Sequence, residues 1–127
     1  MHMEEHLDVR EGICRFRPQG RYSLAEAVEL ITGAIAYCRD RGLDKLLVNA
    51  TGLVGVAVPS LCDRFLMVEE WAQEARGMVV VALVIQPEYI HPEKFGVKLA
   101  SDFGLVVDVH TSEADALKWL ANGIVPT

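Results

Sequence analysis

Few residues in this chain of 127 amino acids have the types and the spacing that catalysis requires. Cys62 lies near the start of a predicted helix, where free backbone N–H groups favour a reactive thiolate, and His91 or His110 would act as its base. Asp108 with His110 is more simply interpreted as strand-end polarity than as an acid–base pair. The sequence contains no G-x-S-x-G, P-loop or G-x-G-x-x-G motif. We therefore expect a protein that is not an enzyme, with a thiol activity of Cys62 as the alternative.

The cysteines and histidines do not form a zinc-binding motif. The three cysteines include no C-x-x-C pair, so the four histidines have no cysteine pair with which to complete a zinc site. Cys14, Cys38 and Cys62 are each set among apolar neighbours, so we interpret them as reduced thiols of the core. We expect neither a metal nor another cofactor.

The connection formed by residues 50–59 is unusually apolar. It consists mostly of Val, Leu, Ala and Gly and carries no charge, whereas connections normally lie on the surface and prefer polar residues. It follows a predicted parallel strand at the edge where open α/β sheets bind ligands, and residues 86–91 reach the same edge. The candidate rim residues for a small apolar ligand or a protein partner are Asn49, Gly52, Leu53, Gly55, Val58, Tyr89 and His91. Tight packing of one loop beneath the other is the structural alternative.

Alternating strands and helices must position these residues. Short apolar or alternating runs predict strands at residues 6–9, 13–17, 45–49, 78–85 and 105–109. Each of four helical runs begins at a cap or a first-turn proline and ends at a glycine: Ser23 to Gly42, Ser60 to Gly77, Pro92 to Gly104, and Thr111 or Ser112 to Gly123. The order ββαβαβαβα predicts one α/β domain over residues 1–127, with a mixed, mostly parallel sheet, an amino-terminal hairpin and about four helices.

The second predicted helix has more apolar residues than one buried face needs. Its buried stripe is predicted to contain Leu61, Phe65, Val68, Ala72 and Ala75. Three further apolar residues, Leu66, Met67 and Trp71, then form a second apolar surface. Such a surface on a small domain predicts a homodimer.

Composition and charge exclude several classes of protein. The net charge of −6, from 12 Lys and Arg against 18 Asp and Glu, provides no basic stripe for nucleic acid. A hydrophobic content of 51% argues against a disordered chain. The first ten residues lack the features of a signal peptide, and no apolar run approaches the roughly 18 residues that cross a bilayer. We expect a cytoplasmic protein without an integral membrane segment.

Five segments carry a resemblance to a known family. They are residues 20–23 (GRYS), 44–52 (DKLLVNATG), 92–96 (PEKFG), 100–104 (ASDFG) and 112–120 (SEADALKWL). Together they resemble the bacterial SpoIIAA-like proteins, a branch of the STAS superfamily, over nearly the whole chain. The resemblance implies a fold related to anti-sigma-factor antagonists and, in outline, to Sec14-type lipid-binding domains. It implies a non-enzymatic regulatory or protein-interaction module of a bacterial cytosol; the alternative is a small carrier or sensor that binds a lipid-like or other apolar molecule at residues 50–59.

The resemblance also implies a candidate phosphorylation site. Anti-sigma-factor antagonists carry a phosphorylatable serine at a helix amino terminus after a strand, usually in a D-S-S-G-like turn. Ser60 has that position, where free N–H groups favour a phosphate, and Thr51 is a second candidate acceptor. Because the local sequence is PSLC rather than D-S-S-G, a simple helix cap is the competing interpretation of Ser60.

Overall fold

A five-stranded sheet forms the centre of the computed structural model, which describes residues 6–122. Its strands are β1 (Leu7–Arg10), β2 (Ile13–Phe16), β4 (Lys45–Asn49), β6 (Val80–Val84) and β7 (Val107–His110), and they lie side by side in that order. A second, small sheet pairs β3 (Gly20–Arg21) with β5 (Leu53–Val54). The helices are α1 (Leu24–Asp40), α2 (Leu61–Ala75), α3 (Phe95–Asp102) and α4 (Glu113–Ala121). The predicted α/β fold class, with a mostly parallel sheet and an amino-terminal hairpin, is confirmed.

The hairpin is the antiparallel part of the central sheet. β1 and β2 pair up to Arg10 opposite Ile13, which leaves Glu11 and Gly12 as a two-residue loop. Both loop residues have a left-handed φ, of 55° and 76°. This is the geometry that a type I′ turn requires, and its twist matches that of the flanking strands.

The remaining strands of the central sheet are parallel. β2 pairs with β4, β4 with β6, and β6 with β7, all in the same direction. The parallel arrangement predicted for the last three is confirmed. All five residues of β6 are buried because helices cover both faces of the sheet. The predicted strand at residues 78–85 is too long, since Met78 lies in the preceding turn and is exposed.

Helices cover the two faces of the sheet unequally. α1, α2 and α3 pack together on one face, and α4 packs on the other against β4, β6 and β7. Side chains alternate along β4, so Leu46 and Val48 join the larger core with α1 and α2, whereas Leu47 lies in the smaller core with α4. The carboxyl ends of β4 and β6 meet at one edge, where residues 50–60 and 85–94 leave the sheet.

Serine side chains cap three helices, as predicted. Ser23, Ser60 and Ser112 each accept a hydrogen bond from the backbone N–H three residues later, and the first two form complete capping boxes. α3 begins at Phe95 and not near Pro92 as predicted. The preceding Lys94 has a left-handed φ of 50°, which interrupts helical geometry there.

Three of the predicted helix ends are confirmed by left-handed glycines. Gly42, Gly77 and Gly104, with φ of 68°, 70° and 78°, follow the ends of α1, α2 and α3. At the end of α2 the preceding Arg76 is also left-handed, with φ of 52°. The helix end predicted at Gly123 lies outside the described residues.

The buried face of α2 differs from the prediction. Val68, Trp71 and Ala75 are buried, whereas Leu61 and Phe65 are exposed. Trp71 belongs to the core under α1 and α2, and its indole N–H lies 3.3 Å from the carbonyl oxygen of Val28, to which it donates. Trp71 therefore does not contribute to a second apolar surface.

Candidate functional site

Residues 50–59, here called the loop wall, stand over the carboxyl ends of the central strands. The N–H of Ala50 donates to the carbonyl of Val84 at the end of β6, at 2.9 Å. β5, within the loop wall, pairs in parallel with β3. Tyr89 holds the part of the loop wall around Val56, because its hydroxyl donates to the Val56 carbonyl at 2.6 Å. The loop wall is thus held to the sheet, to β3 and to the segment that follows β6.

Two glycines allow the loop wall to approach the chain around β3. A Cβ atom on Gly52 would lie 2.6 Å from Nε2 of Gln19, and one on Gly55 would lie 2.8 Å from Nη1 of Arg21. Gly55 also has φ of 83°, a conformation that side chains disfavour. Both residues were predicted to belong to a rim. Gly55 is favoured by its backbone conformation, whereas the Gln19 side chain beside Gly52 can move aside.

Exposed apolar side chains lie on the loop wall, at the start of α2 and after the end of α3, and they are here together called the α2 surface. Its members are Val54, Val58, Leu61, Phe65, Leu66 and Phe103, with relative exposures between 39% and 55%. Phe103 packs edge-on against Phe65, with the ring centroids 5.5 Å apart. Within residues 6–122, eight large hydrophobic residues are exposed, and six of them belong to this surface. Leu61, Phe65 and Leu66 lie in the first two turns of α2, and such an accumulation of exposed apolar side chains is typical of an interaction site.

Ser60 lies within the α2 surface, at the amino terminus of α2. Its hydroxyl oxygen accepts from the N–H of Asp63 at 3.0 Å, and the Asp63 carboxylate accepts from the N–H of Ser60 at 2.9 Å. These hydrogen bonds hold the pKa of Asp63 below its ordinary value. Ser60 is exposed. The same residue therefore caps the helix and is open to solvent.

Thr51 and Asn49 fix the turn at the end of β4. The Asn49 side-chain oxygen accepts from the Thr51 N–H at 3.0 Å and from the Thr51 hydroxyl at 2.6 Å. The Asn49 side-chain nitrogen donates to Glu113 at 2.8 Å, and Arg17 donates to both oxygens of the same carboxylate at 2.7 and 2.8 Å. The hydrogen bonds from Arg17 are the main reason why the pKa of Glu113 is lowered to about 2. Asn49, predicted as a rim residue, thus joins β4 to α4.

A cavity of about 130 Å³ lies behind the loop wall. It is bounded by α1, α2, the loop wall, the carboxyl ends of β6 and β7, and the segment leading into α3. Of the predicted rim residues, Leu53, Tyr89 and His91 line this cavity, whereas Asn49, Gly52, Gly55 and Val58 do not. Val58 belongs to the α2 surface on the outside.

The residues proposed for thiol chemistry are not brought into hydrogen-bond contact. Cys62 is exposed, which corrects the expectation that it lies in the core. The ring of His110 packs against Trp119 on the α4 side, with centroids 5.6 Å apart, and burial lowers its pKa. His91 accepts from the N–H of Glu93 through Nδ1, at 3.1 Å. In the described part of the chain no hydrogen bond joins Cys62 to a histidine.

The other two cysteines are core residues, as predicted. Cys14 on β2 and Cys38 on α1 are fully buried in the larger core. Their thiols form a hydrogen bond with each other, which together with burial raises the pKa of Cys38. No group of three or more His, Cys, Asp or Glu residues within 6–122 is arranged to hold a metal ion. No helix in the same range is long and apolar enough to cross a membrane.

Arg64 is a cavity residue that the sequence reasoning did not identify. It lies on the boundary of the cavity, and its Nη1 donates to the carbonyl of Tyr89 at 3.2 Å. A sequence signal for this position exists, because Arg64 precedes the buried Val68 and Trp71 by four and seven residues. That spacing places the three side chains on one face of α2.

Comparison with known proteins gives a result for the fold. No protein-family model and no curated protein sequence matches the chain. Among solved structures, the anti-sigma factor antagonist SpoIIAA in its unphosphorylated form is similar, with a TM-score of 0.50 and 19% sequence identity, over 93% of this chain and 97% of that chain. The chain therefore has a SpoIIAA-like STAS fold.

Proposed function

We propose that this protein is a STAS-like regulatory module of a bacterial cytosol, and that it acts by binding a protein partner and not by catalysis. The observation that carries the proposal is the exposed α2 surface. The shared fold supports it, because the structural neighbour is named as an antagonist of an anti-sigma factor. The three free cysteines are typical of a reducing compartment. A role without catalysis is supported by Cys62, which within residues 6–122 has no hydrogen bond to a histidine that could act as its base.

The partner that fits this surface has an apolar face bordered by basic residues. Phe65, Leu66 and Phe103 are large side chains of the kind that anchor interfaces when a partner buries them. α2 also contains four acidic residues, of which Glu74 is paired with Arg39 of α1 and Glu70 accepts from the Thr32 hydroxyl. The other two, Asp63 and Glu69, lie close in sequence to the exposed apolar residues of α2, against the single basic residue Arg64. Complementary positive charge on the partner would accelerate the encounter and exclude competitors with acidic surfaces.

The homodimer predicted from the sequence would use the same surface through Leu66. Trp71 is buried and Met67 is partly buried, so two of the three residues behind that prediction contribute little to an exposed patch. A second copy would also bring a second acidic α2 close to the first. We therefore propose a different protein as the main partner and treat the dimer as an outcome of the experiment below.

Phosphorylation would act on this surface through Ser60. Ser60 is exposed between Val58 and Leu61, so a phosphate there would place roughly −1.5 to −2 charges among apolar side chains that a partner must bury. It would also lie beside the Asp63 carboxylate, which is hydrogen-bonded to the Ser60 N–H. Thr51 is the weaker candidate, because its hydroxyl already donates to Asn49 outside the α2 surface.

The experiment compares the wild-type protein with Leu66→Glu and with Met78→Glu as a matched control. Leu66 and Met78 are 55% and 51% exposed, but only Leu66 belongs to the α2 surface. Sedimentation at micromolar concentration first determines whether each variant is monomeric. Each of the three proteins is then immobilised on a resin and incubated with lysate of the source organism. A protein that the wild type retains is purified, and its affinity for each of the three proteins is measured.

We expect a partner that binds the wild type and Met78→Glu equally and binds Leu66→Glu at least about tenfold more weakly, since an unpaired charge is placed in the buried interface. A wild-type dimer that only Leu66→Glu disrupts would replace the proposed partner by a second copy of the chain. Equal binding by all three proteins would refute the assignment of the α2 surface.

A further inference from the structure

The cavity behind the loop wall has an apolar interior formed by three parts of the fold. α1 contributes Val28 and Ile31, α2 contributes Val68 and Trp71, and β6 contributes Leu83. The opposite side is closed by Leu53, Val56 and Pro59 of the loop wall. A volume of about 130 Å³ among such side chains is close to the roughly 150 Å³ of an apolar cavity that accommodates benzene.

The charged residues on the boundary of this cavity all have one sign. Arg64 and Lys94 lie there together with His91, and no Asp or Glu of residues 6–122 does, although acidic residues outnumber basic ones by 18 to 12 in the whole chain. Such a bias at the edge of an apolar cavity favours a negatively charged group on a ligand.

Arg64 and His91 retain donors that a ligand can use. Within residues 6–122 the guanidinium of Arg64 makes one hydrogen bond, to the Tyr89 carbonyl, out of the five N–H donors that arginine has. The His91 ring accepts at Nδ1 from the Glu93 N–H, which leaves Nε2 as the protonated nitrogen of the neutral ring. Lys94 is paired with Asp108 at 2.8 Å, so Arg64 supplies the uncompensated positive charge.

We infer that this cavity binds a small carboxylate whose single apolar group is about the size of a benzene ring. The apolar group lies against Trp71 and Leu83, and the carboxylate accepts hydrogen bonds from Arg64 and His91 at the boundary. The volume matches a compact aromatic or branched aliphatic acid, and we propose such an acid in place of the lipid-like ligand considered from the sequence. This inference rests on observations other than those behind the proposed protein partner, because the residues that line the cavity are not the exposed residues of the α2 surface.

Two tryptophans provide a built-in control for the test. Trp71 lines the cavity, whereas Trp119 lies on the α4 face of the sheet. The probe is benzoate, and benzamide is its uncharged counterpart of nearly the same shape. Titrations followed by NMR should move the indole N–H resonance of Trp71 and leave that of Trp119 in place. We expect benzamide to bind at least about fivefold more weakly than benzoate, because it lacks the charge that strengthens the hydrogen bonds to Arg64.

Variants then test whether the carboxylate of benzoate is bound by Arg64. Arg64→Gln should weaken benzoate binding about tenfold and bring it to the level of benzamide, whereas Arg10→Gln, on β1, should leave both affinities unchanged. Leu66→Glu should also bind benzoate normally, which separates this site from the partner surface. The thermal unfolding of each variant is recorded so that only folded proteins are compared.

The inference is overturned if benzoate saturates no site at ~100 mM, about ten times the dissociation constant of a weakly but specifically bound ligand of this size. It is also overturned if benzoate and benzamide bind equally, or if the Trp119 resonance moves and that of Trp71 does not.

Discussion

Acidification should selectively remove the stabilisation that Glu113 gives to the fold. Its carboxylate accepts two hydrogen bonds from Arg17 and one from Asn49, and so joins β2, α4 and β4. The ordinary pKa of 4.5 is thereby lowered to about 2 in the folded protein. Because the folded pKa is the lower one, the stabilisation is complete above about pH 4.5 and is lost as the pH falls towards 2.

The size of this effect follows from the lowered pKa and from the exposure of the pair. At ~1.4 kcal/mol for each pH unit, the full difference corresponds to about 3 kcal/mol. The Arg17 side chain is 39% exposed and that of Glu113 is 26% exposed, so solvent screening reduces the contribution to about 1 to 2 kcal/mol. More than half of it should be gone at about pH 3.

Urea unfolding of the wild type and of Glu113→Gln, at pH 7, 5 and 3, measures this contribution. The wild type should be more stable by the same amount at pH 7 and pH 5, and the difference should shrink by more than half at about pH 3. Glu29→Gln is the control, since Glu29 is exposed on α1 and should show almost no difference at any pH. A difference between wild type and Glu113→Gln that is the same at pH 3 and pH 7 would refute the reasoning.

Two further predictions concern α2 and the cysteines. Ser60→Ala should lower the free energy of unfolding by about 0.5 to 2 kcal/mol, because it removes a helix cap, whereas Ser60→Asp can still cap and should change it little. If Ser60 is regulatory, the Asp variant should nevertheless weaken partner binding; equal binding by wild type, Ala and Asp variants would leave the serine with a structural role alone. A thiol reagent such as Ellman's should modify Cys62 in the native protein and reach Cys14 and Cys38 after unfolding, since only Cys62 is exposed; rapid modification of all three without urea would contradict the burial of the other two.

Local signals in the sequence predicted those parts of the fold that depend on local interactions. β4 was predicted with its observed limits, and the caps Ser23, Ser60 and Ser112 begin the helices that they were expected to begin. A capping residue acts on the N–H groups of its own first turn, so its effect is visible in a few consecutive residues. The hairpin was similarly visible, because its loop needs a residue such as Gly12.

Features that depend on distant contacts were not predictable in the same way. β3 and β5 contain two residues each, which is too short for a periodicity to be detected. They form because they pair with each other, although α1 and β4 lie between them in the sequence. On α2, apolar residues occupy more than one face, and the 3.6-residue period alone did not decide between Phe65 and Trp71 as the buried side chain. The composition of residues 50–59 drew attention to the loop wall, but the cavity behind it arises from the packing of α1, α2 and β6, which no single segment encodes.

The loop wall is only one layer of residues thick, and this has a thermodynamic consequence. Leu53 and Val56 line the cavity on one side, while their chain neighbours Val54 and Val58 belong to the α2 surface on the other. An occupant of the cavity that displaces the inner residues also displaces the outer ones, because the same short stretch of backbone carries both. Linkage then requires reciprocity: the factor by which a bound carboxylate changes the affinity for a partner is the factor by which that partner changes the affinity for the carboxylate. If both proposed ligands bind, a chain of this size would in this way couple two chemical signals without a second domain or a hinge.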